Sequence, residues 1–201
     1  MIRVLLAEDQ DLVRGAMAAL LALEPDIEVV AQVGRGGDVL PAALERHPHV
    51  ALLDIEMPGG DGISAAAQLR RSLPDCRVLI LTAFGRPGYL RRAMAAGASG
   101  FMLKDAPASE LAVAIRRTMA GERVVDPQLA AQALAEGDSP LSGRETEVLA
   151  ASADGSTVAQ VARRLFLSEG TVRNHLSAAI QKLSATNRAE AARIAQEKGW
   201  L

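Results

Sequence analysis

Five polar residues within the first 104 positions of the sequence lie at the ends of short apolar runs. Asp54 directly ends the run VALLD, and apolar runs of this kind are typical of strands that are buried on both faces. A carboxylate beside such a core costs free energy unless something pairs with it or uses it. The other four residues are Glu8, Asp9, Thr82 and Lys104. A carboxylate can accept a phosphoryl group when nearby cations neutralise the transferring oxygens, so this set of residues indicates phosphoryl chemistry.

The pattern between these residues predicts how they come together. Residues 2–121 alternate strand with helix: the strand candidates are Ile2–Ala7, Glu28–Val33, Val50–Asp54, Arg77–Ala83 and Gly100–Lys104, and amphipathic stretches lie near 11–23, 38–46, 62–73, 87–96 and 108–120. Five such βα units predict an α/β domain with a parallel, doubly wound sheet of five strands. Such sheets bind ligands at the carboxyl ends of their strands, where we expect the five residues to converge.

Three carboxylates at one rim repel one another unless a cation lies among them. Oxygen ligands suit Mg²⁺, so the sequence predicts a magnesium site that includes Glu8, Asp9 and Asp54. The alternative is that each polar residue only caps its strand and faces water. Four strand ends in register make that alternative the weaker one.

The combination Glu8-Asp9, Asp54, Thr82 and Lys104 resembles the receiver domain of response regulators over residues 1–121. The resemblance implies the flavodoxin-like (βα)5 fold and a phosphoryl group that Asp54 accepts from a sensor histidine kinase. It also implies that the three carboxylates hold Mg²⁺ with help from the backbone carbonyl of Glu56. Lys104 and Thr82 would contact the phosphoryl oxygens.

The same resemblance implies a switch and a gate. Thr82 would move toward the phosphoryl group while the aromatic Phe101 turns inward behind it, although plain core packing of Phe101 is nearly as good an interpretation. Glu56 and Phe84 would border the path of the hydrolytic water, and the bulk of Phe84 predicts slow loss of phosphate, although packing of Phe84 against the next helix is an equally good interpretation. Aspartate-nucleophile phosphatases are excluded, because they place a second aspartate where this chain has Glu56, followed by Met57-Pro58.

Residues 122–138 are predicted to be a linker, since Gly137, Ser139 and Pro140 punctuate a domain boundary. Residues 139–201 contain only helix signals, beginning with a capping box of Ser142 and Glu145. Two short helices joined by a tight turn, within Thr157–Leu165 and Glu169–Ser184, predict a helix-turn-helix in an all-α second domain. A fourth helix is predicted over Arg188–Glu197.

The segment LSEGTVRNHL and its surroundings resemble the LuxR-type DNA-binding domain over residues 139–201. The resemblance implies that Glu169–Ser184 reads the major groove of double-stranded promoter DNA. The implied contact residues are Thr171, Arg173, Asn174, His175 and Ser177. Arginine and asparagine suit guanine and adenine respectively, so Arg173 and Asn174 are the candidates for base readout, and a solvated polar helix face is the alternative.

Charge and composition agree with this division. Residues 139–201 carry a net charge of +2 and residues 1–138 carry −4. A weakly basic domain predicts weak binding by one copy, so we expect a homodimer on phosphorylation. Cys76 is the single cysteine, which fits a reducing compartment and predicts a cytoplasmic protein. No apolar run reaches the roughly 18–20 residues that a bilayer requires, which predicts no membrane insertion.

Together the two resemblances indicate a response regulator of the NarL/FixJ family, which is not an enzyme. The stretches AEDQDLVRGAMAALLALEPDIEVV and LTAFGRPGYLRRAMAAGASGFMLKDAP are most similar to the DesR-type regulators, which pair with a membrane-embedded thermosensor kinase and control lipid desaturation. The remaining alternative is a DNA-binding protein whose receiver is a phosphate-insensitive dimerisation module. The intact set of five pocket residues favours phosphorylation.

Overall fold

The computed structural model describes residues 1–83, 87–135 and 139–201. The chain divides into two compact units, of which the first is built from most of residues 1–130 and the second mainly from residues 131–201. Each unit has its own core.

The first unit contains a parallel sheet whose spatial order is β2-β1-β3-β4-β5-β6. The strands are β1 (Ile2–Ala7), β2 (Ile27–Val33), β3 (Val50–Asp54), β4 (Arg77–Thr82), β5 (Gly100–Leu103) and β6 (Val124–Val125). The central strand β3 is buried along its whole length, as its uninterrupted apolar run predicts. In register, Ala7 pairs with Leu53 and Asp54 pairs with Leu81, so the strands that carry the polar residues end at the same rim.

Five helices connect these strands. They are α1 (Asp11–Leu21), α2 (Gly36–Arg46), α3 (Gly62–Ser72), α4 (Pro87–Ala95) and α5 (Ala108–Met119). The apolar face of α5, including Leu111 and Ile115, packs with Leu21 of α1 against one face of the sheet. The parallel α/β architecture predicted from the alternating pattern is therefore confirmed.

The number of strands in the sheet differs from the prediction. The sheet has six strands where five were expected, because Val124 and Val125 pair in parallel with Gly100 and Phe101. This two-residue strand lies in the segment predicted to be a linker, and it is too short to show any periodicity in sequence. The same segment contains α6 (Pro127–Ala135), where the Asp126 carboxylate accepts a hydrogen bond of 2.9 Å from the backbone N–H of Leu129.

The second unit contains α7 (Gly143–Ser152), α8 (Val158–Leu165), α9 (Glu169–Lys182) and α10 (Arg188–Glu197). A hydroxyl or amide side chain caps the start of each, namely Ser142, Thr157, Ser168 and Asn187. The capping box of Ser142 and Glu145 is confirmed. Their apolar faces form one core that includes Val148, Leu149, Val161, Val172 and Leu176.

The turn between α8 and α9 has an unusual residue at its start. Phe166 adopts the left-handed conformation, with φ of 55° and ψ of 44°, and the residue is 96% exposed. A side chain with a Cβ is strained in this conformation, and an exposed phenyl ring buries no surface to offset the strain. This position therefore reduces the stability of the second unit.

We expect Phe166→Asn to raise the free energy of unfolding by about 0.5–1 kcal/mol, because asparagine tolerates the left-handed region far better than phenylalanine. Chemical denaturation measures the change. Phe166→Ala is the control, since alanine removes the ring but lacks the short polar side chain that lets asparagine form local hydrogen bonds in the left-handed conformation. Equal stability of the Asn and Ala variants would show that backbone strain is not the cause.

Candidate functional site

Three carboxylates meet at the carboxyl ends of β1 and β3. Glu8 and Asp9 follow β1, and Asp54 is the last residue of β3. One oxygen from each lies within 4.8 Å of the others, close enough for a single cation to bind all three. Glu8 and Asp54 are buried, whereas Asp9 is exposed, so the cluster opens to solvent on the Asp9 side. The convergence predicted from the strand ends is observed for these residues.

Lys104, just beyond β5, lies inside this cluster. Its Nζ is 2.6 Å from Oε2 of Glu8 and 3.0 Å from Oδ2 of Asp54. The ammonium group bridges two carboxylates that belong to different strands, which offsets part of the cost of burying them. One cation cannot neutralise three carboxylates, so the cluster retains capacity for a second.

Burial and the contact with Lys104 shift the pKa of Asp54 in opposite directions. Burial raises the pKa of Asp54, and the negative charge of Glu8 adds to the rise, while the hydrogen bond from Lys104 opposes it. Burial alone would lower the pKa of Lys104, but its hydrogen bonds to Glu8 and Asp54 outweigh burial and raise that pKa. Lys104 therefore stays protonated and is able to neutralise anionic oxygens at this rim.

Thr82 and Phe101 both lie on strands that the sequence predicts. Thr82 ends β4 and is buried, and its carbonyl oxygen accepts a hydrogen bond of 2.8 Å from the backbone N–H of Lys104. Phe101 is fully buried on β5. Their contribution to a switch stays a prediction.

Glu56 and Phe84 are the two residues expected to border the path of the hydrolytic water. Glu56 is exposed and lies two residues beyond Asp54. Phe84 lies outside the described residues. The gate therefore stays a prediction.

The loop after Asp54 is held by a close approach of two backbones. The Gly62 N–H donates a hydrogen bond of 3.0 Å to the carbonyl oxygen of Ile55, at the start of α3. A Cβ on Gly62 would overlap the carbonyl oxygen of Asp54. Glycine at this position therefore lets α3 begin directly against the end of the strand that carries Asp54.

We expect Gly62→Ala to lower the free energy of unfolding of the first unit by about 1–3 kcal/mol, the usual cost of forcing atoms into a packed site. Chemical denaturation measures the loss. Gly15→Ala is a matched control, because Gly15 lies within α1 and a Cβ there meets nothing within 4 Å. The control should gain about 0.5–1 kcal/mol from higher helix propensity. A loss from both substitutions would contradict the close-approach explanation.

Arg14 is a site residue that the sequence analysis missed. Its Nη1 donates a hydrogen bond of 2.6 Å to the backbone carbonyl of Glu8, and its Nη2 pairs with Asp11. This contact holds the end of β1, where two of the carboxylates lie. The i,i+3 spacing of Asp11 and Arg14 was visible in the sequence as a helical ion pair. The bond to the carbonyl was not, because it depends on the tertiary path of the chain.

In the second unit, α9 has one buried and one exposed face. Val172, Leu176 and Ala179 are buried in the core. On the other side, Arg173, Asn174 and Ser177 are exposed, and Thr171 and His175 are partly buried. The Ser168 hydroxyl accepts a hydrogen bond of 3.1 Å from the backbone N–H of Thr171 and also lies 2.8 Å from its hydroxyl. The exposed face carries the residue types that suit readout of base edges.

Two known protein families match separate parts of the chain. Residues 4–116 match the response regulator receiver domain, and residues 139–195 match the bacterial regulatory proteins of the luxR family. The chain therefore belongs to the two-component response regulators of the luxR family, a class of transcriptional regulators.

Individual relatives match along the whole chain. The transcriptional regulatory protein DesR of Bacillus subtilis is 44% identical, with 100% of this chain and 99% of the relative covered. An uncharacterized transcriptional regulatory protein of the same organism, YvfU, is 46% identical over all of both chains. The DNA-binding transcriptional activator DevR/DosR of Mycobacterium tuberculosis is 35% identical, with 98% of this chain and 95% of that protein covered.

Solved structures are similar as well. The response regulator ChrA of a heme-sensing two-component system matches with a TM-score of 0.59 and 35% identity, covering 100% of this chain and 98% of that one. The response regulator RcsB in complex with DNA matches with a TM-score of 0.68 and 25% identity, covering 98% of both chains. A search of the described residues finds no helix that is both long and apolar enough to span a membrane.

Proposed function

We propose that this protein is a transcriptional regulator that binds promoter DNA after a sensor histidine kinase has phosphorylated Asp54. The observation that carries the proposal is the ammonium of Lys104 placed 2.6 Å from Glu8 and 3.0 Å from Asp54, beside the exposed carboxylate of Asp9. Such a pocket is costly to build and has no use in a receiver that only holds two copies together.

The residues fit a bound Mg²⁺. Glu8, Asp9 and Asp54 supply the hard oxygen ligands that this ion prefers, and their excess negative charge is what a divalent cation would neutralise. The backbone carbonyl of Glu56 would complete the protein's share of the ligands. When bound, Mg²⁺ would supply positive charge beside the phosphoryl oxygens.

The reaction we propose is a simple transfer. A carboxylate oxygen of Asp54 attacks the phosphorus of a phosphohistidine, the P–N bond breaks, and the imidazole leaves with its electron pair. Lys104 then turns from the two carboxylates to the oxygens of the phosphoryl group, where its charge is most needed. The Thr82 hydroxyl binds another phosphoryl oxygen, and Phe101, which is already fully buried on β5, packs behind it.

The proposed output is sequence-specific binding by α9. Arg173 and Asn174 would contact base edges, while Thr171, His175 and Ser177 would lie near the DNA backbone. This activity would place the protein in the cytoplasm with the chromosome. The resemblance to the DesR-type regulators supports a narrower proposal, control of membrane lipids in response to temperature.

One experiment tests the proposed function as a whole. The protein is incubated with acetyl phosphate and Mg²⁺, and a pool of random duplexes is then selected on the treated and untreated samples. We expect one added phosphoryl group and a shared preferred sequence that the treated protein enriches more strongly. Sequence preference without any added phosphate would favour the alternative, a regulator whose receiver is insensitive to phosphate.

A further inference from the structure

The first turn of α9 carries an ion pair on its exposed face. Glu169 is the first residue of this helix, and its Oε2 lies 2.6 Å from Nη2 of Arg173, one turn later. The two side chains are 50% and 62% exposed, so DNA could reach both. Arg173 is the residue on this face best suited to grip guanine.

A carboxylate at this position is unfavourable for binding DNA in general. The N-terminal residues of a recognition helix lie deepest in the major groove, between two rows of phosphates. A negative charge there is repelled by the DNA, and it also competes with phosphate for Arg173. The position therefore calls for a reason other than affinity.

Capping does not supply that reason. The other acids in the first turns of this unit bond to backbone N–H groups: Glu145 accepts from Ser142 and Glu190 accepts from Thr186, each at 2.7 Å. In α9 the Ser168 hydroxyl already caps the helix. The carboxylate of Glu169 instead pairs with the side chain of Arg173.

We propose that Glu169 is a specificity-determining residue, which withholds Arg173 from DNA phosphates and releases it to guanine. The inference rests on the proposed DNA-reading function of α9. An exposed pair of this kind is weak, so a strong competitor opens it. Guanine offers two acceptors, O6 and N7, in the geometry of the guanidinium group. A phosphate also offers two acceptor oxygens, but it is anionic, so the neighbouring carboxylate of Glu169 repels it, whereas guanine is neutral.

The test compares two substitutions that remove the same charge. Glu169→Gln removes the carboxylate from α9. Glu197→Gln is the matched control, because Glu197 pairs with Arg193 on α10 at 2.8 Å, also at i,i+4 spacing, with exposures of 45% and 59%. The probes are the duplex that the wild-type protein selects from a random pool and a scrambled duplex of equal length.

We expect Glu169→Gln to bind the scrambled duplex about two- to fivefold more tightly, the range that an exposed ion pair is worth. The salt dependence of that binding should steepen by about one released counterion, since Arg173 becomes free to contact a phosphate. The ratio of selected to scrambled affinity should fall, while Glu197→Gln should leave both the ratio and the slope unchanged.

The possible outcomes distinguish a failure of the inference about Glu169 from a failure of the proposed DNA-reading function. An unchanged ratio in Glu169→Gln, with a wild-type protein that does select a sequence, overturns the inference and leaves the DNA-reading function intact. A wild-type protein that selects no sequence overturns the DNA-reading function and the inference with it. In the Arg173→Ala background, Glu169→Gln should raise affinity for the scrambled duplex less than it does in the wild-type background, because the guanidinium group that it releases is gone and only the direct repulsion between the carboxylate and the DNA is relieved.

Discussion

The Asp54→Asn variant is expected to gain no phosphoryl mass from acetyl phosphate, whereas the wild-type protein gains one group. The reason is chemical: a neutral amide oxygen is a much weaker nucleophile than the Asp54 carboxylate. Glu8 is more deeply buried and lies closer to Lys104, at 2.6 Å against 3.0 Å, so the variant also tests whether Glu8 accepts the phosphoryl group in its place. Asparagine keeps the shape of the side chain, so the sheet around it should be preserved. Intact-mass measurement gives the result directly.

The same experiment tests the cation. With EDTA present, we expect phosphorylation of the wild-type protein to fall at least tenfold, which corresponds to about 1.4 kcal/mol of lost transition-state stabilisation. Lys104 alone carries one positive charge against three carboxylates and an incoming phosphoryl dianion. Adding back Mg²⁺ in excess should restore the reaction.

Asp75→Asn is the control for the site. Asp75 is exposed and precedes β4, so it lies at the amino ends of the parallel strands, whereas Asp54 lies at their carboxyl ends. This variant should gain phosphate as the wild-type protein does. Phosphate mass on the Asp54→Asn protein would show that the phosphoacceptor has been assigned to the wrong residue.

Phosphorylation is also expected to raise affinity for a duplex with two half-sites by a factor on the order of 10²–10⁴, through formation of a dimer. One copy of the second unit is only weakly basic, with a net charge of +2 over residues 139–201, so it should bind weakly alone. Joining two copies makes the second contact intramolecular, and effective concentration accounts for a gain of this size. Sedimentation and DNA titration measure the mass and the affinity.

A duplex with a single half-site is the internal control, because only one copy can engage it. Phosphorylation should change its affinity far less than that of the two-half-site duplex. The Asp54→Asn protein should show neither the mass change nor the affinity gain. Equal mass and equal affinity before and after phosphorylation would contradict the dimer mechanism and favour a receiver that is insensitive to phosphate.

Much of the fold could be predicted from local pattern. The bounds of β1 and β3 agree with their apolar runs, and the capping box of Ser142 and Glu145 begins α7 as expected. These features depend on residues that are neighbours in sequence, since burial sets the apolar period and the caps act within one turn. The candidate site was predictable for a related reason: in a parallel sheet the strands end at the same rim, so polar residues after those strands must meet.

The rest depended on how strands and helices pack and on the paths of the loops between them, which local patterns do not specify. The strand β6 forms only because β5 offers a free edge beside Gly100, and two valines carry no signal of their own. The bond from Arg14 to the Glu8 carbonyl and the approach of Gly62 to Asp54 join residues on either side of one loop, and they depend on the path that each loop takes between its strand and its helix. The sequence alone determined which residues could do chemistry, because residue type and strand end are local properties. Only the tertiary structure decided that one ammonium bridges Glu8 and Asp54, because a distance between strands follows from packing.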